Sequence, residues 1–248
     1  MFYIFEMANN HMGSVSHAKK IIDEFSNLSI MQDLNAGIKL QFRNLDTFIH
    51  KDFKNSELKY VKRFNETKLP INEIAEIIDY IHQKELTSVA TPFDNDSLPL
   101  FDQLGVEVIK IASCSVDDWP LLNEVCKINR KIIISTGGAT IKHLNQVYKI
   151  FKNNGRDFSF LHCIAEYPTP HENAFLGRIT KLKEEFPDIE IGYSTHESPA
   201  EDSIIPYAVA LGATIIEKHI GKKTKQYELN NYSSTVKQMD EVISEVKT

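Results

Sequence analysis

Cysteine is scarce in this chain, and the three present, Cys114, Cys126 and Cys163, are odd in number and far apart. That pattern gives neither a disulfide framework nor a Cys-x-x-Cys metal site, and it fits a reducing cytoplasm. Basic charge is not in excess either: 28 Lys and Arg stand against 34 Asp and Glu, a formal net charge of −6 with no basic block. Nucleic acid and anionic membranes are therefore poor partners, and a small-molecule substrate is the better expectation. No apolar run approaches the roughly 18 residues of a membrane span, and Glu6 interrupts the short apolar start before a signal core can form. Internal repeats and low-complexity tracts are missing. So is the glycine fingerprint of a dinucleotide fold, since the turn after the first apolar run reads Ala8-Asn-Asn-His-Met-Gly13.

What the chain does have is an alternation of short β-branched runs with longer amphipathic stretches from end to end. The runs predict strands near residues 2–7, 36–41, 86–91, 107–112, 131–136, 158–163, 189–194 and 214–219. Helices are expected near 14–28, 72–84, 94–104, 117–129, 140–154, 174–186, 199–211 and 235–247. Ser14 and Asp117 are candidate N-caps, Pro199 suits a first helical turn, and Gly105 and Gly212 suit helix ends. Eight such units in 248 residues, 42% hydrophobic, predict one domain, a closed (β/α)8 TIM barrel spanning 1–248, with an open doubly wound sheet as the alternative. Active sites of such barrels form at the carboxyl ends of the strands. Residues 42–70 form the one long irregular stretch, carrying Arg43, Asp46, His50, Asp52 and Arg63. They read equally well as a functional loop and as a solvated surface excursion.

The polar residues inside the strands carry the chemistry. Two of the last strands end in histidine, and alternation puts Ser194 with His196 on one face and Glu217 with His219 on another. A single histidine there is usually just a hydrogen-bonding residue; two at equal depth make a divalent-metal site an equal alternative. Lys39 and Lys110 each sit among apolar neighbours in a predicted strand. Burying an ammonium costs several kcal/mol unless an anion meets it. For one lysine that anion is expected to be a structural carboxylate such as Glu6; for two, an anionic ligand. Thr91, Ser113, Ser135 and Ser194 at strand ends supply hydroxyl donors, and the backbone at Gly137 and Gly138 can approach the same anion. Each is weak alone, but with the lysines they outline a pocket for a highly anionic small molecule. His162 and Cys163, as strand neighbours, face opposite ways and form no dyad; Cys163 and Cys114 read as small core fillers and Trp119 as helix packing.

In order along the chain stand Asn10-His-Met-Gly13, Lys39-Leu-Gln41, Ala90-Thr-Pro-Phe93, Ile109-Lys-Ile-Ala-Ser113 and Ser135-Thr-Gly137. They are followed by Leu161-His-Cys163 with Tyr167-Pro-Thr-Pro170, Gly192-Tyr-Ser-Thr-His196 and Glu217-Lys-His219. This set resembles the N-acetylneuraminate (sialic acid) synthase family over nearly the whole chain. The resemblance implies a TIM barrel that condenses phosphoenolpyruvate with an open-chain amino sugar such as N-acetylmannosamine, giving a 2-keto-3-deoxy nonulosonic acid and phosphate. It implies that Lys39, Thr91, Lys110, Ser113, Ser135 and Ser194, with Gln41 and Tyr167, hold substrate. His196 and His219 would hold a divalent metal, manganese first, with cobalt, magnesium or zinc as alternatives, and Glu217 would act among the catalytic groups. Phosphoenolpyruvate carries nearly three negative charges, a load that suits two buried lysines, hydroxyls and a metal.

The chain departs from that family's pattern at Ser115, where many members have a carboxylate, and at Ala165, where serine or asparagine is usual. It also departs in the loop Lys225–Ser233 and in lacking the C-terminal antifreeze-like domain, which leaves Arg43 and the 42–70 loop as a candidate acceptor lid. A homodimer is compatible with the family. Rival expectations are a legionaminic, pseudaminic or Kdo-type synthase, a metal-dependent sugar-phosphate isomerase or hydrolase, and a sugar-binding barrel that has lost catalysis.

Overall fold

A computed structural model describes residues 1–248. Eight parallel strands close on themselves in sequence order: β1 Phe2–Glu6, β2 Asn35–Phe42, β3 Thr87–Pro92, β4 Val108–Ile111, β5 Lys131–Ser135, β6 Phe158–Cys163, β7 Ile191–Thr195 and β8 Ile215–His219, with β8 paired back to β1. The TIM barrel is thus the fold, and the open sheet is excluded.

The strands form where β-branched residues concentrate because both faces are buried, one against helices and one against the barrel axis. The axial side is apolar only in its amino-terminal half. There Phe2, Ile4, Val89, Val108, Ile133, Leu161 and Ile215 form a plug separate from the 50-residue core between strands and helices. Alternation then carries the next inward positions of the same strands, Glu6, Thr91, Lys110, Ser135, Cys163 and Glu217, toward the carboxyl end, joined by Lys39 and Ser194.

Helices α1 Val15–Met31, α2 Leu45–Phe48, α3 Lys59–Glu66, α4 Ile71–Gln83, α5 Leu98–Leu104, α6 Trp119–Val125, α7 Ile141–Asn153, α8 Gly177–Glu185, α9 Ile205–Ala210 and α10 Val236–Lys247 surround the barrel. Ser14 caps α1 by accepting from the His17 N–H, and Gly105 ends α5 in the left-handed region with φ +67°. Two expected caps are corrected. Asp118, not Asp117, caps α6, its carboxylate accepting from the Leu121 N–H. Pro199 lies before α9, which starts only at Ile205 with Pro206 in its first turn. The 42–70 stretch is not irregular: it contains α2, α3 and a 3-10 turn at Lys51–Phe53. Its ends are tied down, since the Asn44 N–H donates to Asp94 at 2.7 Å and Arg63 donates to the Asn9 carbonyl at 3.1 Å.

Candidate active site

At the carboxyl end of the barrel, four charged side chains meet on the axis. Lys39 Nζ lies 2.5 Å from Glu6 Oε2 and 3.0 Å from Glu217 Oε2. Lys110 Nζ lies 3.8 Å from the same Glu217 oxygen. It donates instead to Ser135 Oγ at 2.5 Å and to the Ile111 carbonyl at 3.2 Å. Ser194 donates to the other Glu217 oxygen at 2.9 Å. All four charged groups are buried.

The electrostatics divide the two lysines. Burial pushes the Lys39 ammonium down, but Glu217 and Glu6 outweigh it and hold its pKa above the usual value. Burial wins at Lys110, bringing it down to about 8, because only Glu217 opposes it strongly and Lys39 repels it. Burial likewise raises Glu6. Glu217 would rise as well, but Lys110 and Lys39 together hold it down at about 2. Lys39 therefore already has two structural carboxylates, as expected of a single buried lysine, and Lys110 is the under-compensated cation. Around it, Thr91 Oγ1 is buried without a hydrogen-bond partner, although three of the four hydroxyls expected here are engaged. Ser135 accepts from Lys110, Ser194 donates to Glu217, and Ser113 Oγ accepts the Gly137 N–H at 3.1 Å. That last bond means the Gly137 N–H is taken; a Cβ on Gly137 would come within 2.7 Å of Ser113 Oγ.

Above this floor, the rings of His196 and His219 lie with centroids 5.4 Å apart. Burial first, then the neighbouring charges, lowers both to about 3, so both imidazoles are neutral across the physiological range. His196 Nδ1 donates to the Ile164 carbonyl at 3.0 Å, which fixes the tautomer and leaves the Nε2 lone pair free. Two neutral imidazoles, one oriented by a carbonyl, suit a divalent ion of the first transition row. No third His, Cys, Asp or Glu joins them, so water and substrate oxygens would complete such a site. Tyr167, half exposed, packs its ring 4.0 Å from His196, and Tyr232 stands edge-on to His219 at 5.0 Å.

Gln41 and Arg43 extend the site sideways. Gln41 donates to Glu6 at 3.3 Å and accepts from Arg43 at 2.5 Å. Arg43 stacks on Phe93 and Phe64, at 4.0 and 4.4 Å from the ring centres. Three other polar residues of the 42–70 stretch do not join it: Asp46 is exposed, and His50 pairs with Asp52 in solvent at 3.6 Å. Cys114 is exposed beside the mouth, which corrects its reading as a core filler, whereas Cys163 is buried. His162 points outward, stacked on Tyr193 and bonded to the Ala174 carbonyl at 2.7 Å.

Sequence reasoning did not count Glu6 among the site residues, though its inward phase with Ile4 on β1 was a usable signal. It also missed a buried pair behind the histidines: Lys218 donates to the Glu197 carbonyl at 2.6 Å and faces its carboxylate at 3.6 Å. Both residues immediately follow or precede an inward histidine, so the tie holds the two strand ends together.

With this geometry in place, comparison with known proteins is informative. The family model described as NeuB family matches residues 32–248. The chain belongs to the NeuB family. Among solved structures, this NeuB-family barrel superposes with a TM-score of 0.96 on a Chromobacterium violaceum protein assigned to spore coat polysaccharide biosynthesis. The two are 42% identical over 99% of this chain and 74% of that one. An N-acetylneuraminic acid synthetase from Leptospira borgpetersenii, solved with citrate, superposes at 0.86 with 29% identity, over 99% of this chain and 82% of that one. The N,N'-diacetyllegionaminic acid synthase of Campylobacter jejuni is 30% identical over 87% of this chain. The chain spans 66% of the length of that enzyme and 61% of a Methanocaldococcus jannaschii relative that is 33% identical over 88% of this chain.

Proposed function

We propose that this barrel condenses phosphoenolpyruvate with the open-chain aldehyde of an N-acylated amino sugar, forming a nonulosonic acid and inorganic phosphate. One observation carries the reading: a buried lysine without a full counter-charge, Lys110, beside the unpartnered Thr91 hydroxyl and directly below two neutral histidines. A dianionic phosphate supplies what that lysine lacks, and charge-assisted hydrogen bonds of this kind are the strong ones. The names of the relatives support the same reading, since they cover sialic, legionaminic and pseudaminic acid synthases.

In the proposed reaction the enol carbon of phosphoenolpyruvate attacks the aldehyde carbon, whose oxygen takes up a proton. Water adds at the resulting cationic C2, and the tetrahedral adduct expels phosphate to leave the 2-keto acid. Lys110, Ser135 and Thr91 would hold the phosphate; Lys39, fixed between Glu6 and Glu217, would meet the carboxylate. Glu217 keeps the two ammonium groups together and, held as the carboxylate, can accept a proton from the attacking water only after Lys39 or Lys110 turns to substrate. A divalent ion, manganese as the first choice, would be held by His196 and His219 and would polarise the aldehyde oxygen as a Lewis acid. Enclosure of these groups at the barrel end supplies positioning and preorganised charge, the main sources of rate in such a step.

The test is release of phosphate from phosphoenolpyruvate with manganese across a panel of aldoses, N-acetylmannosamine first, followed by 2,4-diacetamido sugars. Activity that requires both substrates and disappears in His196→Ala supports the proposal. Turnover of a sugar without phosphoenolpyruvate, or full activity in His196→Ala, overturns it.

A further inference from the structure

Two histidines on different strands can hold one ion only while their strand ends keep a set distance. In the β7–β8 ladder Tyr193 pairs with Ile216, Ser194 with Glu217 and Thr195 with Lys218. Continuing that register puts His196 opposite His219, and their rings lie side by side with centroids 5.4 Å apart, near the spacing of neighbouring strands. The ladder itself stops one rung short of them. Each histidine is anchored away from the other. The His196 carbonyl accepts from the Thr169 N–H at 3.0 Å, and its Nδ1 donates to Ile164, both on the β6 side. His219 pairs instead with Glu6 of β1, and its carbonyl accepts from the Ser234 N–H at 2.8 Å.

A side chain supplies the missing rung. Alternation turns Lys218 and Glu197 to the helix side of the sheet, behind the histidines. From there Lys218 Nζ reaches across to the Glu197 carbonyl at 2.6 Å and faces the Glu197 carboxylate at 3.6 Å. Both side chains are buried, yet Lys218 makes a single hydrogen bond and Glu197 Oε2 has no hydrogen-bond partner. A buried pair so sparsely bonded adds little to stability, since apolar residues of similar volume often serve as well; the role left to it is to fix geometry. The pair also lines a cavity of about 110 Å³, with Ser203, Ser234 and Gln238, so side chains of equal length can replace it without a clash.

Resting on the reading of His196 and His219 as holders of a divalent ion, we infer that Lys218, with Glu197 as its counter-ion, is a positioning residue: it sets the separation of the two imidazoles and with it the affinity for the ion. It touches neither the substrate nor the ion.

The experiment compares wild type with the double variant Lys218→Met/Glu197→Gln, which removes both charges and the bond between the strand ends while keeping side-chain length. Manganese and cobalt affinities are measured without substrate, by manganese EPR and by the visible absorption of bound cobalt, with His196→Ala as background. Phosphoenolpyruvate affinity is measured by calorimetry in the presence of a chelator. The double variant should bind both ions about 10- to 100-fold more weakly, the usual effect of losing a partner that orients metal ligands, while its affinity for phosphoenolpyruvate stays at the wild-type value. Saturating manganese should restore kcat. Ion affinity equal to that of wild type overturns the role. So does a parallel loss of phosphoenolpyruvate affinity, which marks a general loosening of the barrel end, and so does a wild type that takes up neither ion above background. Phosphate release judges the condensation separately. Release together with unchanged ion affinity in the double variant keeps the condensation and removes the positioning role; selective loss of ion affinity in a protein that releases no phosphate from any sugar does the reverse.

Discussion

Lys110 shows how a single side chain can be readied for an anion by being left short of partners. Its pKa of about 8 comes from burial that Glu217 only partly offsets. In the proposed reaction it is the protonated form, predominant below that value, that would bind phosphate. Affinity for phosphoenolpyruvate should therefore be level below pH ~8 and weaken by up to about tenfold per pH unit above it. Titration calorimetry across that range checks this, and Lys110→Arg, which stays protonated, should flatten the profile. Glu217 is the complementary case. Glu217→Gln leaves Lys39 and Lys110 facing each other with Glu6 alone, so it should cost about 3–5 kcal/mol in urea unfolding, the usual penalty for breaking a buried ionic cluster. Added inorganic phosphate should restore part of the loss in the variant; if stability is unchanged with and without phosphate, the cluster does not hold the floor together.

At the scale of elements, the strands were legible because β-branched runs and 3.6-residue periods alternate cleanly, and all eight fall within a few residues of expectation. The 199–211 segment was legible only in part. Its apolar pattern suggested a full helix, but residues 199–204 form turns, with Ser203 donating to the buried Glu197 at 3.3 Å, and α9 keeps six residues. Residues 42–70 were opaque because α2 and α3 are only four and eight residues long, too short for a periodic pattern to stand out, and the stretch is anchored by tertiary ties such as Asn44 to Asp94. Gly192 carries an element-scale prediction. A Cβ there would lie 2.3 Å from the Ile215 carbonyl and 2.4 Å from Leu161 Cδ2, where β6, β7 and β8 come together. Because one obstacle is backbone, Gly192→Ala should lose roughly 3 kcal/mol or more by chemical denaturation. Gly138→Ala meets nothing within 4 Å and is strained only by its φ of +75°, so about 1 kcal/mol is expected.

For the whole molecule, closure of the barrel is what joins residues from opposite ends of the chain. Glu6 and Glu217 share Lys39 only because β8 pairs with β1, and Asn10 seals the same junction by donating to the Ile220 carbonyl at 2.7 Å. A ligand bound at that junction should stabilise the entire fold. Manganese at about 100 times its dissociation constant should add about 2.7 kcal/mol to unfolding. Differential scanning calorimetry should show the rise in Tm, its loss on adding a chelator, and its absence in His196→Ala. An equal rise in that variant would place the ion elsewhere.

The sequence by itself determined the barrel, through periodicity that assigns each run a strand or helix, and the inward phase of Lys39, Lys110, His196, Glu217 and His219, since alternation along a strand is local geometry. Only the tertiary structure decided how those charges are shared: that Glu6 and Glu217 claim Lys39, that Lys110 is left short, and that Arg43 turns back to Gln41 at the site. The reason is physical. Facing direction is set by neighbours along the chain, whereas charge compensation depends on distances across a closed ring, which exist only once β8 has met β1.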